Sequence, residues 1–555
     1  MEIKGNVVDV IANKIEPAIV SIAKGKIAEI KKTKEKYDNY ILPPFVDSHI
    51  HIESSMVMPS EFAKIAATHG TVAVVADPHE IANVLGIEGV RHFINNSKSI
   101  PFKFYFGVPS CVPATNFETS GAKIDANDVK KLFEEDKLHF LSEMMNFPGV
   151  IHNVPTVMEK IEIAKSKKKV IDGHCPKLSG KNLKKYIESG ISTDHECTTL
   201  DEAIEKINLG MKIQIRNGSS AKDFENLFSL IDVFPASVML SSDDLKPENL
   251  LEGHINLLVK NAVKKGMNLM NVLRAASLNP IEHYNLNVGM LRRGDDADFI
   301  IIDNLRDFNV LQTFCCGKLI AENGKTKIKA EKSEIINNFS ATPISPKMLT
   351  VLDQNDGYSR DKLACNDDVL VNVIGVTNGQ IVTKKLECRL QIKNGDILPD
   401  VENDVLKLIV LNRYAKNQKP AVAFVKGFGL KDTAIATSIS HDSHNIVAVG
   451  TDDEKICKAV NEIIKNKGGI SLATPQNIEI LELPIAGIIS DDSIKNVAKK
   501  HTKIEKYVRE LGSQLDSPFM TLSFLALLVI PELKLSDKGL FNSNEFRFEE
   551  LIIQV

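Results

Sequence analysis

Eight short β-rich runs, each ending in polar groups and each followed by helix-like sequence, constrain the fold of this chain most. They read ILPPFVDSHIH, TVAVVADPHE, FKFYFGVPSC, LHFLSEMMN, KKVIDGHC, GISTDHE, MKIQIRNGS and ASVMLSSDD. Helices are expected between them, among others over 155–167, 179–189, 221–230 and 250–266. Alternating strands and helices build parallel β–α–β units. Eight such units over about 240 residues match the size and count of a (β/α)8 TIM-like barrel, here expected over 43–287. In such a barrel the C-terminal strand ends share one mouth, which is where the polar groups fall. A doubly wound open sheet would instead gather ligand groups at a single switch point.

The first run, VDSHIH, shows what the mouth is for. Alternate residues of a strand share a face. His49 and His51 therefore project together, about 7 Å apart along the backbone at roughly 3.3 Å per residue. Strand 4 adds Glu143, strand 5 His174, strand 6 His195 and strand 8 Asp243. Any one of these histidines alone is more often a core or surface residue. Four imidazoles and two carboxylates on one barrel end suit two divalent transition metals roughly 3.5–4 Å apart, one carboxylate bridging and positions left open for water. Asp244, next to Asp243, is expected to point to the other face if the strand persists.

Length and charge place this barrel in a larger protein. A chain of 555 residues predicts two to four domains. Residues 1–42 and 288–340 are expected to form a small β-domain from both flanks of the barrel, with an α+β C-terminal domain over 345–555. The turn HDSHN, with His441 and His444, reads as a structural loop there, the alternative being a cap on the neighbouring active site. A net charge of −4 and a pI near 6.4 give no reason to expect nucleic acid or an anionic membrane as partner. The N-terminus lacks the pattern of a signal peptide, and the apolar segment FMTLSFLALLVIPELKL is shorter than a membrane span. Eight cysteines without a CxxC pair point to a reducing cytoplasm.

VDSHIH resembles the first-strand HxH of the amidohydrolase superfamily. The longer strings HIESSMVMPSEFAKIAATHGTVAVVADPHEIANVLG, LSEMMNFPGVI, GHCPKLSGKNLKKYIESGISTDHECTT and MTLSFLALLVIPEL resemble its adenine deaminase family, which acts on the free base. The resemblance runs from residue 43 to the C-terminal region. It implies hydrolysis of adenine to hypoxanthine and ammonia in purine salvage, with attack of a metal-bound hydroxide on C6. It also implies two divalent ions, manganese or iron, and Glu143 where many superfamily members use a carboxylated lysine.

The resemblance, with the chemistry of that bond, implies further roles. An adjacent carboxylate must carry the proton from water to the leaving amine, and by analogy with the family's strand-8 aspartate Asp243 is the candidate. Ring N1 needs a donor, for which Glu80 or His79 is expected, the alternative for Glu80 being a hydrogen bond that supports a metal-ligand histidine. Asp77, Glu53, Arg216 and Asp244 are expected to contact substrate or to support the metal ligands. Small-molecule substrate and a homo-oligomer, a dimer, complete the expected partners. Two departures from the family pattern stand out: Asn217 where a glutamate is expected after strand 7, and no histidine after Asp243–Asp244. Alternatives are a related binuclear hydrolase acting on a cyclic amide or another aminopurine, and a catalytically weak purine-binding protein. The six retained ligands favour an enzyme.

Overall fold

The computed structural model describes residues 1–219, 221–329, 332–351, 368–393 and 396–554. The chain forms two compact units. One comprises Met1–His79, Val90–Cys111 and Ile124–Ser333; the other comprises Glu80–Gly89, Val112–Lys123 and Glu334–Val555. Among the described residues no helix is long and apolar enough to cross a membrane.

The first unit opens with β1 (Glu2–Asp9), β2 (Lys14–Ala23), β3 (Lys26–Lys32) and β4 (Tyr40–Leu42). The barrel follows as β5 (Phe45–His51), β6 (Thr71–Ala76), β7 (Lys103–Phe106), β8 (Leu141–Met144), β9 (Ile171–Gly173), β10 (Thr193–Asp194), β11 (Lys212–Arg216), β12 (Val238–Ser241) and the short β13 (Asp243–Asp244). The eight sequence runs thus hold the barrel strands, β12 and β13 together forming the last. β5 and β6 are buried at every position, as parallel strands covered on both faces must be. β5, β6 and β7 pair in parallel, as do β8 with β9 and β10 with β11 and β12. A bridge from Val108 to Leu141 continues β7 into β8. Ser192 N–H donates to Ile171 O at 3.0 Å between β9 and β10. β13 pairs with β5, and Ser48 Oγ donates to Leu240 O at 2.9 Å, which closes the ring.

Two expected helices are split. Gly253 separates Pro247–Glu252 from Ile255–Lys264, and 221–230 resolves into Phe224–Leu227 and Leu230–Val233. Apolar periodicity runs through such breaks, because glycine and single-turn interruptions leave the buried face in phase.

After the barrel come β14 (Phe299–Ile302), β15 (Val310–Cys315), β16 (Lys318–Glu322) and β17 (Lys325–Thr326). They join β1–β4 in one sheet, ordered β17-β16-β15-β14-β4-β1-β2-β3. β14 pairs antiparallel with β4, setting Ile301 opposite Ile41. The chain before the barrel therefore finds its partner after it. Val20, Ile27, Phe299 and Phe314 form the core of this sheet, the two phenyl rings stacked at 4.5 Å.

The second unit is built on a mixed sheet whose middle strands, Val405–Leu411, Ala434–Thr437 and Ile446–Gly450, are buried throughout. Helix Asp453–Asn466 buries Ile456, Val460 and Ile463. Asp452 caps it, its side chain accepting from Lys455 N–H.

Candidate metal centre

Four histidines and two carboxylates converge at the strand ends, all of them buried. β5 ends on His49 and His51, whose Nε2 atoms lie 3.2 Å apart. Asp243 Oδ1 is 3.5 Å from His49 Nε2 and 3.3 Å from His51 Nε2. Glu143, on β8, turns its two oxygens to different partners. Oε1 is 3.3 Å from His51 Nε2. Oε2 is 2.7 Å from His174 Nδ1 and 3.1 Å from His195 Nε2. His195 stacks on His49 with centroids 4.0 Å apart. Glu143 thus lies between His51 on one side and His174 and His195 on the other.

The charges identify what the pocket takes. Burial disfavours the charged form of every group here. Even so, Glu143 lifts His195 to about 9, and His51 and His174 rise as well on the pull of Asp243, Glu196 and Glu143. His49, pressed by burial and by His195, goes the other way. Against the same burial, His174 and His195 hold Glu143 well below the usual carboxylate range, and His49 and His51 do so for Asp243. The pocket therefore gathers positive charge, as protons on imidazoles or as cations between them. His49 Nδ1, His174 Nε2 and His195 Nδ1 are buried polar atoms without a hydrogen-bond partner. An imidazole–carboxylate donor set of this kind suits first-row divalent ions, and the residues present fit a metal pair.

A ring of ion pairs holds the ligands. Arg216, at the end of β11, pairs with Glu196 through both terminal nitrogens, Nη2 to Oε2 at 2.9 Å. Its Nη1 also donates to Asp243 Oδ2, and its Nε to Asp223 Oδ2, each at 2.9 Å. Asp47 accepts from Ser242 N–H at 3.1 Å and from His49 N–H at 3.2 Å, tying β5 to the last strand. Asp194 accepts from Cys175 N–H at 2.8 Å and Glu196 N–H at 3.2 Å. It thereby fixes the backbone just past His174 and His195. Lys206, fully buried, donates to Asp194 Oδ2 at 2.9 Å.

Residues 40–320 match the model for the amidohydrolase family, and residues 380–547 match the model for the adenine deaminase C-terminal domain. Three curated relatives, all adenine deaminases, align along nearly the full length. The one from Sulfurovum sp. is 50% identical and that from Salinibacter ruber 47%, each alignment covering 99% of both chains. The one from Methanosarcina mazei is 49% identical over 99% of this chain and 98% of its own. The chain belongs to the adenine deaminase family of amidohydrolases.

The other residues singled out in the sequence divide between the two units. Asp77 and His79 lie in the barrel cluster, His79 Nδ1 standing 3.0 Å from Asp77 Oδ2 and 3.5 Å from Glu143 Oε1. Glu53 is buried on the turn Ile52–Ser55 just past β5. Glu80 belongs to the second unit, where His441 Nδ1 and His444 Nε2 each contact one of its carboxylate oxygens. Asp244 departs from the expectation that it faces away. Asp243 has φ 57°, in the left-handed region, so strand alternation fails at that step. Oxygens of both aspartates lie within 4.8 Å of each other and of a His51 nitrogen, and Ser54 Oγ donates to Asp244 Oδ1 at 2.5 Å. Of the two departures from the family pattern, Asn217 is held at the end of β11 by its N–H, donating to Ser241 O at 3.2 Å.

Glu196, Asp223, Asp194 and Lys206 escape a reading of sequence alone. Glu196 had a signal, since it follows His195 directly at a strand end. Lys206 had none, because its position in helix Leu200–Asn208 reads like any other surface lysine.

Proposed function

We propose that this chain hydrolyses adenine to hypoxanthine and ammonia at a binuclear centre in the mouth of its barrel. The observation that carries the metal part is the two-sided placement of Glu143, 3.3 Å from His51 on one oxygen and 2.7 Å from His174 on the other. In this reading His49, His51, Glu143, His174, His195 and Asp243 would hold the two ions. Two divalent ions supply a nucleophilic water at neutral pH. Manganese is the assigned metal and iron the alternative, in keeping with imidazole and carboxylate donors.

Asp243 is the proton carrier. Arg216 engages its Oδ2 at 2.9 Å, leaving Oδ1 turned toward His49 and His51. From there it takes a proton from the attacking water and returns it to the amine leaving C6. His79, oriented by Asp77, delivers the proton to ring N1, with Glu80 as the second candidate. Glu53, Arg216 and Asp244 support the ligands and the base. The division into small β-domain, barrel and C-terminal domain, a homodimeric assembly and a cytoplasmic purine-salvage role belong to the same reading, which the free thiols among the described residues suit.

The test is direct. Manganese-loaded protein given adenine should release hypoxanthine and ammonia in equal amounts. Protein with two ions bound per chain and no product would sink the reading.

A further inference from the structure

The hairpin between β15 and β16 carries two adjacent thiols, Cys315 and Cys316. Cys315 pairs with Lys318, so Cys316 and Gly317 are the two loop residues. Both have positive φ, 47° and 72°. That is the pattern of a type I′ turn, whose first loop position ordinarily takes asparagine, aspartate or glycine. On a continuing strand neighbouring side chains point to opposite faces. The left-handed conformation at Cys316 undoes this alternation. Ligating atoms of Cys315, Cys316 and Asp298 lie within 4.8 Å of one another.

The turn is held rigidly against the segment before β14. Asp298 Oδ1 accepts from Cys316 N–H at 2.7 Å, and Gly317 N–H donates to Ala297 O at 2.9 Å. Gly25 completes the seat, since a Cβ there would stand 2.8 Å from Cys316 O. Lys103 Nζ lies 2.6 Å from Asp298 Oδ2 and 2.8 Å from Asp296 Oδ2, placing a cation beside the pair. The two thiols are unequal. Cys315 is buried and Cys316 exposed. A hydrogen bond from Cys315, aided by Lys103 against burial and the aspartates, draws the Cys316 thiol below its ordinary value. Cys316 Sγ donates to Asp296 Oδ2 at 3.8 Å, and an exposed sulfur with a second thiol fixed beside it is a chelating arrangement.

We propose that Cys315 and Cys316 form a dithiol site for thiophilic ligands, a trivalent arsenical or a soft divalent ion, separate from the barrel centre. With an organic arsenoxide, two As–S bonds form, the As=O bond and two S–H bonds break, and one water leaves. With a soft divalent ion, two sulfur–metal bonds form and the thiols give up their protons. Asp298 shapes the turn and need not ligate, its oxygens being engaged by Cys316, Gly289 and Lys103.

Phenylarsine oxide, added in one equivalent to the metal-loaded enzyme and followed by intact mass, tests the site. Wild type should take up one phenylarsenic group per chain, resistant to excess monothiol and released by a 1,2-dithiol. Cys316→Asn and Cys315→Ser should each lose the adduct. Asparagine suits the turn, so Cys316→Asn should fold with an undiminished melting temperature and wild-type adenine turnover. In cadmium titrations the same variant should bind one ion fewer than wild type. An arsenical adduct that persists in Cys316→Asn, or wild type that forms only monothiol-reversible adducts, would overturn the proposal.

Discussion

Replacing Lys206 with methionine isolates what holds the second half of the metal site in place. Lys206 Nζ donates to Asp194 Oδ2 at 2.9 Å, to Glu202 Oε1 at 2.8 Å and to Cys175 O at 2.8 Å, and its side chain is fully buried. Methionine keeps the length and apolar stem but leaves Asp194 charged and buried. Removing one partner of a buried pair costs about 3–5 kcal/mol, chiefly as the uncompensated charge. A solvent-facing pair such as Lys167–Glu134 contributes little because water screens it, so Lys167→Met is the control. Replacing both partners should recover much of the loss, since Lys206→Met with Asp194→Asn removes both fully buried charges and leaves only Glu202, whose side chain is 11% exposed, without its lysine. The coupling between the two sites should then exceed about 2 kcal/mol. Burial opposes ionisation of Asp194, but Lys206 and then His195 outweigh it and depress its pKa. Its contribution is therefore present above the unfolded carboxylate value, about 3.9, and is lost as the pH falls toward the folded one. Urea denaturation at pH 7 with and without manganese, together with metal analysis, measures each term. Lys206→Met should also carry less metal, because Asp194 fixes the backbone beside His174 and His195. A loss below about 1 kcal/mol with full metal content, or a double variant no better than Lys206→Met alone, would refute the argument.

Three further outcomes are expected. Purified enzyme from manganese-supplemented cells should hold close to two ions per chain, and Glu143→Gln should hold fewer, since a neutral amide bridges cations poorly; elemental analysis decides. Asp243→Asn should lower kcat by about 10²–10⁴-fold as proton transfer is lost; near-normal turnover would move the role to Asp244 or Glu80. Burial and then the Asp442 charge push Glu118 up to about 8 from 4.5, so ionised Glu118 costs stability increasingly as the pH rises between those values. Glu118→Gln should flatten that slope and gain on the order of 2–4 kcal/mol at pH 8, read by urea denaturation across pH.

The barrel and its six candidate ligands were legible because β/α alternation and strand-end chemistry are local signals. His49 and His51 announce themselves two residues apart. Glu143, His174, His195 and Asp243 each close a β-rich run. The layer behind them was hidden because it depends on pairs that only folding creates. Lys206 reaches Asp194 across a turn and a helix, and Arg216 gathers Glu196, Asp223 and Asp243 from three segments. Asp244 misled because alternation assumes regular φ, which Asp243 breaks at 57°. The partners of Glu80 lie 361 residues away at His441 and beyond, outside the reach of any periodicity.

The discontinuous make-up of the second unit bears on how the protein is made. Its earliest pieces, Glu80–Gly89 and Val112–Lys123, leave the ribosome long before Glu334–Val555, the bulk of that unit. At 5–20 residues per second, the 361 residues from Glu80 to His441 take roughly 20–70 s. Through that interval Glu80 has neither His441 nor His444 to contact, and Asn445 has not yet arrived to donate to Thr119 O. A chain cut after Ser333, where the first unit ends beyond β17, would be left permanently in this condition, so a genetic truncation there should yield a chain held by chaperones. Co-expressing Glu334–Val555 as a separate polypeptide is the way to release it.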